Sequence, residues 1–317
     1  MGEAVYHCMT RTVNGEWMFT DVAKEVLRKQ LWLVAEFCGL QIVTYQILSN
    51  HFHVLVRVPK KTEIADEELL RRYRLLHPQP TRYQTARLEV IEAQLAESSP
   101  EGAAWRRRIS ALMGDVSQYM KLLKQRFSIW FNKSHKRFGT LWSERFKSVL
   151  VEGEREVLQT MAAYIDLNCV RARLVDDPKD YRFGGYAEAV AGNAAAREGI
   201  RSISGGDKWA QTQSSYRRIL FGTGAAPREK GGSISIEAFE RVMAEGGKLA
   251  LADVLRCRIR YFTNGAVLGS SAFVEAQLAA YRIRTGRREG IGPRALPAIA
   301  DWGDLAVLRR VRQPTLG

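Results

Sequence analysis

The sequence predicts an α+β fold, on three observations. Apolar runs with a period of two mark short strands at 4–12, 41–48 and 50–58. Apolar residues at helical spacing mark a helix between the first two strands, and several more after the third. The order is strand, helix, strand, strand, helices, strand, helix, so the chain does not alternate regularly between the two types.

Each element has its own signal. The first strand, Ala4 to Thr12, carries Tyr6, His7, Met9 and Arg11, and Asn14-Gly15 is a turn signal after it. Asp21 is the expected cap of a helix to about Cys38, with Val22, Val26, Leu27, Val34 and Phe37 at helical spacing. Gly39 is its expected stop, since a helix end often needs the left-handed conformation. Strands 41–48 and 50–58 follow around a turn near Ser49-Asn50 and end at Pro59. Residues at about 60–113 read as a helical insertion, with helices at Glu63–Arg74, Ala86–Ala96 and Ala103–Met113. Asp115 is placed to cap a helix carrying Tyr119, Met120, Leu123, Phe127 and Trp130. Leu141 to Val151 reads as a fourth strand, and Glu152 to about Arg173 as a helix. Residues 1–190 then form one domain, and 191–235 read as linker-like because they are rich in Ala, Gly and Ser. Residues 236–317 read as a mainly helical, basic accessory region whose expected role is a DNA reader, a dimerisation arm or a lid.

Composition narrows the function classes. The chain has 317 residues, 46% of them hydrophobic, which is enough for a substantial core. The formal net charge is +14, so a polyanionic partner is favoured, nucleic acid first, over a merely solvated basic surface. Cys8, Cys38, Cys169 and Cys257 are scattered without a Cys-x-x-Cys pair, which argues against a zinc ribbon or a disulfide framework. Reduced thiols in a cytoplasmic protein are the simplest expectation. No signal peptide is visible, and no run of about 18 apolar residues suggests a membrane span.

Three stretches carry chemistry. In the third strand side chains alternate, so His51, His53 and Leu55 share one face while Phe52, Val54 and Val56 share the other. Imidazoles about 7 Å apart along a strand are either half-buried polar groups or a pair converging on one metal ion. From Lys121 to Lys147 the basic residues are Lys121, Lys124, Arg126, Lys133, Lys136, Arg137, Arg145 and Lys147, and Glu144 is the sole acid. Phe127, Trp130, Phe131, Phe138, Trp142 and Phe146 are interleaved with them. Cations neutralise phosphates and aromatic faces stack unpaired bases, although some of these rings belong to the core. In the late helix, Tyr164 and Asn168 are four residues apart and so share a face. Arg11 and Arg171 are candidate phosphate contacts, with a pairing of Arg171 to Asp166 as the alternative.

Together these stretches resemble the single-tyrosine HUH transposases, in particular the REP-associated tyrosine transposases. The likeness rests on Ser49-Asn50-His51-Phe52-His53-Val54-Leu55, on Phe131-Asn132 through Arg137 with Gly139, Leu141-Trp142 and Arg145-Phe146-Lys147, and on Tyr164-Ile165-Asp166-Leu167-Asn168-Cys169-Val170-Arg171-Ala172. Tyr6-His7 with Arg11, Phe19 before Asp21, and Pro178 with Tyr181 extend it over roughly residues 4–186. Cys169 stands where the family usually has proline, and Leu48-Ser49 where it often has methionine-proline. The resemblance implies a ferredoxin-like or RRM-like antiparallel sheet with helices on one face. It implies that His51, His53 and Asn168 hold a divalent metal, Mg²⁺ or Mn²⁺, and that Tyr164 is the nucleophile toward single-stranded or hairpin DNA. Imidazole ligands favour a transition metal, so Mn²⁺ is expected to serve at least as well as Mg²⁺. The competing expectations are a domesticated hairpin-binding protein that no longer cuts, an RNA-binding module on the same sheet, and a different HUH nicking enzyme. The oligomeric state, monomer or homodimer, is left open.

Overall fold

The computed structural model describes residues 3–60, 62–78, 87–222, 251–255, 261–286, 292–296 and 302–309. The fold is α+β. Seven strands among the described residues form one open sheet, in the order β2-β3-β1-β4-β5-β7-β6. They are β1 (Ala4–Arg11), β2 (Gln41–Ile47), β3 (His51–Val58), β4 (Lys147–Val151), β5 (Gly265–Ser270), β6 (Arg294–Ala295) and β7 (Leu305–Arg309). The first four, with a helix between β1 and β2 and helices between β3 and β4, follow the ferredoxin-like succession. β1 and β4 pair antiparallel with His7 opposite Val149, and β5–β7 and β6–β7 are also antiparallel. β4 and β5 run parallel, with Leu150 opposite Val267. No helix among the described residues is long and apolar enough to cross a membrane.

The chain divides into two compact units. The first takes the described residues within 20–41 and 57–141, together with Glu3. It contains α1 (Asp21–Cys38), α2 (Asp66–Leu76), α3 (Leu88–Ala96), α4 (Pro100–Ser110) and α5 (Val116–Ser134). Leu27, Leu31, Val34 and Phe37 of α1 are buried, as are Tyr119, Met120, Leu123 and Phe127 of α5. The Tyr119 hydroxyl donates to the Leu31 carbonyl. The insertion is thus part of a helical unit with α1 and α5. It is tied in by Gly114 N–H to the Cys38 carbonyl (2.8 Å) and braced by Arg106 with Asp66 and Arg74 with Glu92. Thr20, one residue before the expected cap, accepts from Ala23 N–H, and Asp21 becomes the first helical residue. Gly39 (φ 66°) and Asp115 end α1 and begin α5 as expected.

The second unit takes residues 4–19, 42–56 and 142–317. Its helices include α6 (Arg155–Asp166), α7 (Asn168–Arg171), α8 (Gly185–Val190), α9 (Ala194–Ser204) and α10 (Trp209–Phe221). Within the stretch whose composition reads as a linker, residues 194–204 and 209–221 fold as α9 and α10, and residues 223–235 lie outside the described residues. Alanine is a strong helix former, and Ile200, Ile203, Tyr216 and Leu220 are fully buried. β2 is an edge strand, and the segment after Tyr181 covers it. Ile47 N–H donates to the Phe183 carbonyl (2.9 Å), and Gln46 bridges Gly184. Gly185 and Gly199 let helix backbone approach β2 this closely. The accessory region, read as mainly helical, also contributes strands: Gly265–Ser270 forms β5, which extends the main sheet.

A Cβ at Gly199 would lie 2.5 Å from both the Ile42 and Val43 carbonyl oxygens. Gly199→Ala should therefore destabilise the second unit by about 1–3 kcal/mol. Urea titration of the full chain checks this; an unchanged midpoint would show that α9 can withdraw from β2 without cost.

Candidate functional site

The candidate site is built wholly from the second unit. β1 and β3 are neighbours in the sheet, and the His7 and His53 rings stack with centroids 5.1 Å apart and planes 17° from parallel. Both side chains are buried. His7 Nδ1 lies 2.8 Å from the Phe262 carbonyl oxygen, and His7 Nε2 lies 2.9 Å from His53 Nδ1. A carbonyl only accepts, so His7 Nδ1 carries the proton.

Burial holds His7 down to about 4, assisted by the Arg171 charge and opposed by the bond to Phe262. Burial also holds His53 well below the ordinary imidazole range, with the charges of His7, His51, Arg171 and Arg11 adding to it. Both rings are therefore neutral at pH 7. A neutral His7 accepts at Nε2, so His53 donates from Nδ1, and the Nε2 of His53 keeps its lone pair.

His51 reaches the same state by another route. Asn50 Nδ2 donates to the Gly15 carbonyl (2.8 Å), which fixes the amide so that Oδ1 faces His51 Nδ1 at 2.6 Å. His51 therefore donates from Nδ1, and in its neutral form it too has a lone pair on Nε2. The His51 and His53 rings are 5.2 Å apart at 77°. Metal-binding histidines commonly have one ring nitrogen oriented by an acceptor, leaving the other for the ion. The donor set thus fits a divalent metal: two oriented imidazole lone pairs, to which the Asn168 amide could add a third ligand. Among the described residues, no three His, Cys, Asp or Glu side chains cluster as a metal site.

Tyr164, in the last turn of α6, lies beside this pair. Its ring centroid is 6.4 Å from both His7 and His53. Phe262 packs edge-on against it at 4.9 Å, and the Arg171 guanidinium lies over its face at 4.1 Å. Arg171 also donates to the carbonyls of Leu255 (2.6 Å) and Tyr164 (2.7 Å). Only 2% of Tyr164 is exposed. Asn168 begins α7, half-buried and one turn beyond Tyr164; α6 and α7 are separated by Leu167, so the late helix is interrupted.

Asp166 does not pair with Arg171. It is fully buried and accepts from Thr44 Oγ1 (2.7 Å) and Tyr216 Oη (2.6 Å), which ties the end of α6 to β2 and α10. Burial pushes its carboxyl up to about 7, against the opposing bonds from Tyr216, Thr44 and the Tyr186 backbone. Cys169, in the place of the expected proline, is buried with its thiol within 3.2 Å of the Asp166 carbonyl. Burial first, and the Asp166 charge second, push that thiol up to about 12, so it is inert.

The expected DNA-contact residues separate by exposure. Lys121, Lys133, Lys136 and Arg145 are exposed, and Arg11, Arg126, Arg137, Lys147 and Arg171 are half-buried. Lys124 and Trp142 depart from expectation: both are buried. Trp142 packs edge-on against Phe19 (5.7 Å) and Phe52 (5.9 Å), so its ring is core. Lys147 pairs with Glu144 at 3.6 Å. Arg126 donates to the Leu76 carbonyl. From the sequence, Asn50 has only a turn, Asp166 only the alternative pairing with Arg171 and His7 only a place in the first strand and in the resemblance, and Phe262 has no role. Only His7 had a local signal, since it shares a strand face with Arg11.

No protein-family model matches the chain. No curated protein matches it either. Among solved structures, the chain is similar to a REP-associated tyrosine transposase bound to a REP hairpin, at 13% identity and a TM-score of 0.34, over 61% of this chain and 82% of that one. A likeness of that size defines neither fold nor activity here.

Two outcomes follow from this geometry. In His7→Phe the His53 Nδ1 proton loses its acceptor, and the single tautomer should give way to a mixture, visible in long-range ¹H–¹⁵N imidazole spectra; an unchanged His53 signal would refute the relay. Asp166 has a raised folded pKa, so its contribution is full below about 4 and is lost as pH rises to about 7. Relative to Asp166→Asn, the wild type should lose on the order of 4 kcal/mol across that window. The buried histidines, with lowered pKa, act in the opposite sense below 6.5, so the variant difference is the quantity to measure.

Proposed function

We propose that the chain is a metal-dependent transposase-type nuclease that cuts and rejoins hairpin-containing single-stranded DNA through Tyr164. One observation carries the reading: a phenol lies 6.4 Å from the centre of an imidazole whose proton is directed away by a second histidine. Two further features support it. The blocks that resemble HUH transposases include these same side chains, and the chain has an excess of 14 positive charges for a polyanion.

In this reading His51, His53 and Asn168 would hold Mg²⁺ or Mn²⁺, which supplies charge to polarise the scissile phosphate. The Tyr164 oxygen attacks phosphorus, forming one P–O bond as the bond to the 3′-oxygen breaks. The products are a 5′-phosphotyrosine and a free 3′-hydroxyl, whose proton balances the one lost by the phenol. The phosphotyrosine bond retains the energy for rejoining, so no nucleotide cofactor is needed. Arg171, over the phenol face, holds the ring in place, and the neutral state of His7 and His53 leaves the Nε2 lone pair of His53 available at pH 7.

The burial of Tyr164 favours one alternative, a protein that binds hairpin DNA without cutting it. A labelled single-stranded hairpin incubated with Mn²⁺ separates the two. The nuclease reading expects a covalent adduct that Tyr164→Phe abolishes and that His51→Ala, His53→Ala or EDTA reduces by at least about 100-fold. Hairpin binding with no adduct under any divalent ion would establish the non-cleaving protein instead.

A further inference from the structure

We propose that the turn closing α5, residues 132–139, is a docking site for an unpaired nucleotide of the DNA strand. In it Phe138 stacks on the base, and Lys133, Lys136 and Arg137 neutralise the flanking phosphates. The inference rests on the DNA-binding reading above and adds a subsite to it.

Phe138 is the most exposed large apolar side chain among the described residues, with 94% of it in solvent. It stands on the rim of an open depression of about 520 Å³ lined by Asn132, Lys133, Lys136, Arg137 and Gly139. The turn that presents it is held at several points. Asn132 Nδ2 donates across it to the Gly139 carbonyl (3.0 Å), and Arg137 N–H returns to the Asn132 carbonyl (2.9 Å). The His135 ring stacks on Phe131 at 4.0 Å and donates from Nδ1 to the Phe131 carbonyl.

Lys136 adopts a left-handed conformation (φ 49°) that a side-chain-bearing residue rarely takes, and Gly139 (φ 90°) completes the reversal. A turn fixed in this way, with an apolar ring left in water, is organised in advance for a flat partner. The chain from Val116 to Ser143 contains no aspartate or glutamate, so this stretch is purely basic.

The size and charge of the patch select the occupant. A stable protein partner needs roughly 800 Å² on each side, far more than one ring supplies. A single base needs one ring face, and its phosphates need the cations beside it. Stacking tolerates any base, so this subsite should add affinity without sequence preference.

The test uses the full chain and fluorescence anisotropy with two labelled DNA hairpins, one blunt and one carrying a single-stranded tail. Phe138→Ala should weaken binding of the tailed hairpin about 10-fold and leave the blunt one unchanged, whereas Phe138→Trp should retain tailed affinity. Lys136→Ala should lower the salt dependence of tailed binding by about one phosphate contact. Equal affinity of wild type and Phe138→Ala for the tailed hairpin would overturn the subsite while DNA binding stands. An equal loss on both hairpins, or a loss confined to a tailed RNA hairpin, would also overturn it. Wild type that bound neither DNA hairpin would remove the DNA-binding reading itself, and the subsite with it.

Discussion

The site depends on a short chain of buried hydrogen bonds from the Phe262 carbonyl through His7 to His53. Each link has one polarity only, because a carbonyl cannot donate and a neutral imidazole donates once. A buried histidine free to choose its tautomer would present an N–H or a lone pair at Nε2 with similar ease. Here the choice is made two residues away, by a backbone oxygen. Burial makes the relay effective, since it keeps both rings uncharged and leaves no water to substitute for the acceptor.

That carbonyl comes from the far end of the sequence, and the extended sheet brings it in. β5 adds to β4, and the short helix before β5, Tyr261–Asn264, presents Phe262 to both His7 and Tyr164. The same unit holds α6 from the other end. Asp166 is tied to β2 and α10, and glycines let α8 and α9 close on the edge strand. Tyr164 is thus carried by a helix anchored at its C-terminal end by a buried carboxylate and covered on its open side by an aromatic ring and a guanidinium.

The basic, aromatic stretch does two jobs that its composition does not separate. Phe127, Phe131 and Trp142 are interior residues, and Lys124 runs along the packed side of α5 with most of its surface covered. What remains outside includes the turn after α5, where cations surround one solvated ring. Charge density in a sequence therefore overstates the contact surface, since a long lysine stem is also good material for covering a core.

Local order was legible from the residues. The strand, helix, strand, strand succession, the Gly39 stop, the Asp115 cap and the shared face of His51 and His53 all follow from periodicity and backbone preference, which act within a few residues. The Ala-rich stretch at 194–204 misled because its composition suits both a linker and a helix, and only burial of Ile200 and Ile203 against the rest of the unit decides between them. Gly265–Ser270 became a strand because β4 offered it an unpaired edge. The partner of His53 lies 46 residues away, those of Asp166 lie 50 and 122 residues away, and Phe262 lies 255 residues from His7. Which chemical groups the site holds could be read along the chain; which nitrogen of His7 and of His53 keeps its proton could not, because that depends on acceptors brought in by long-range pairing.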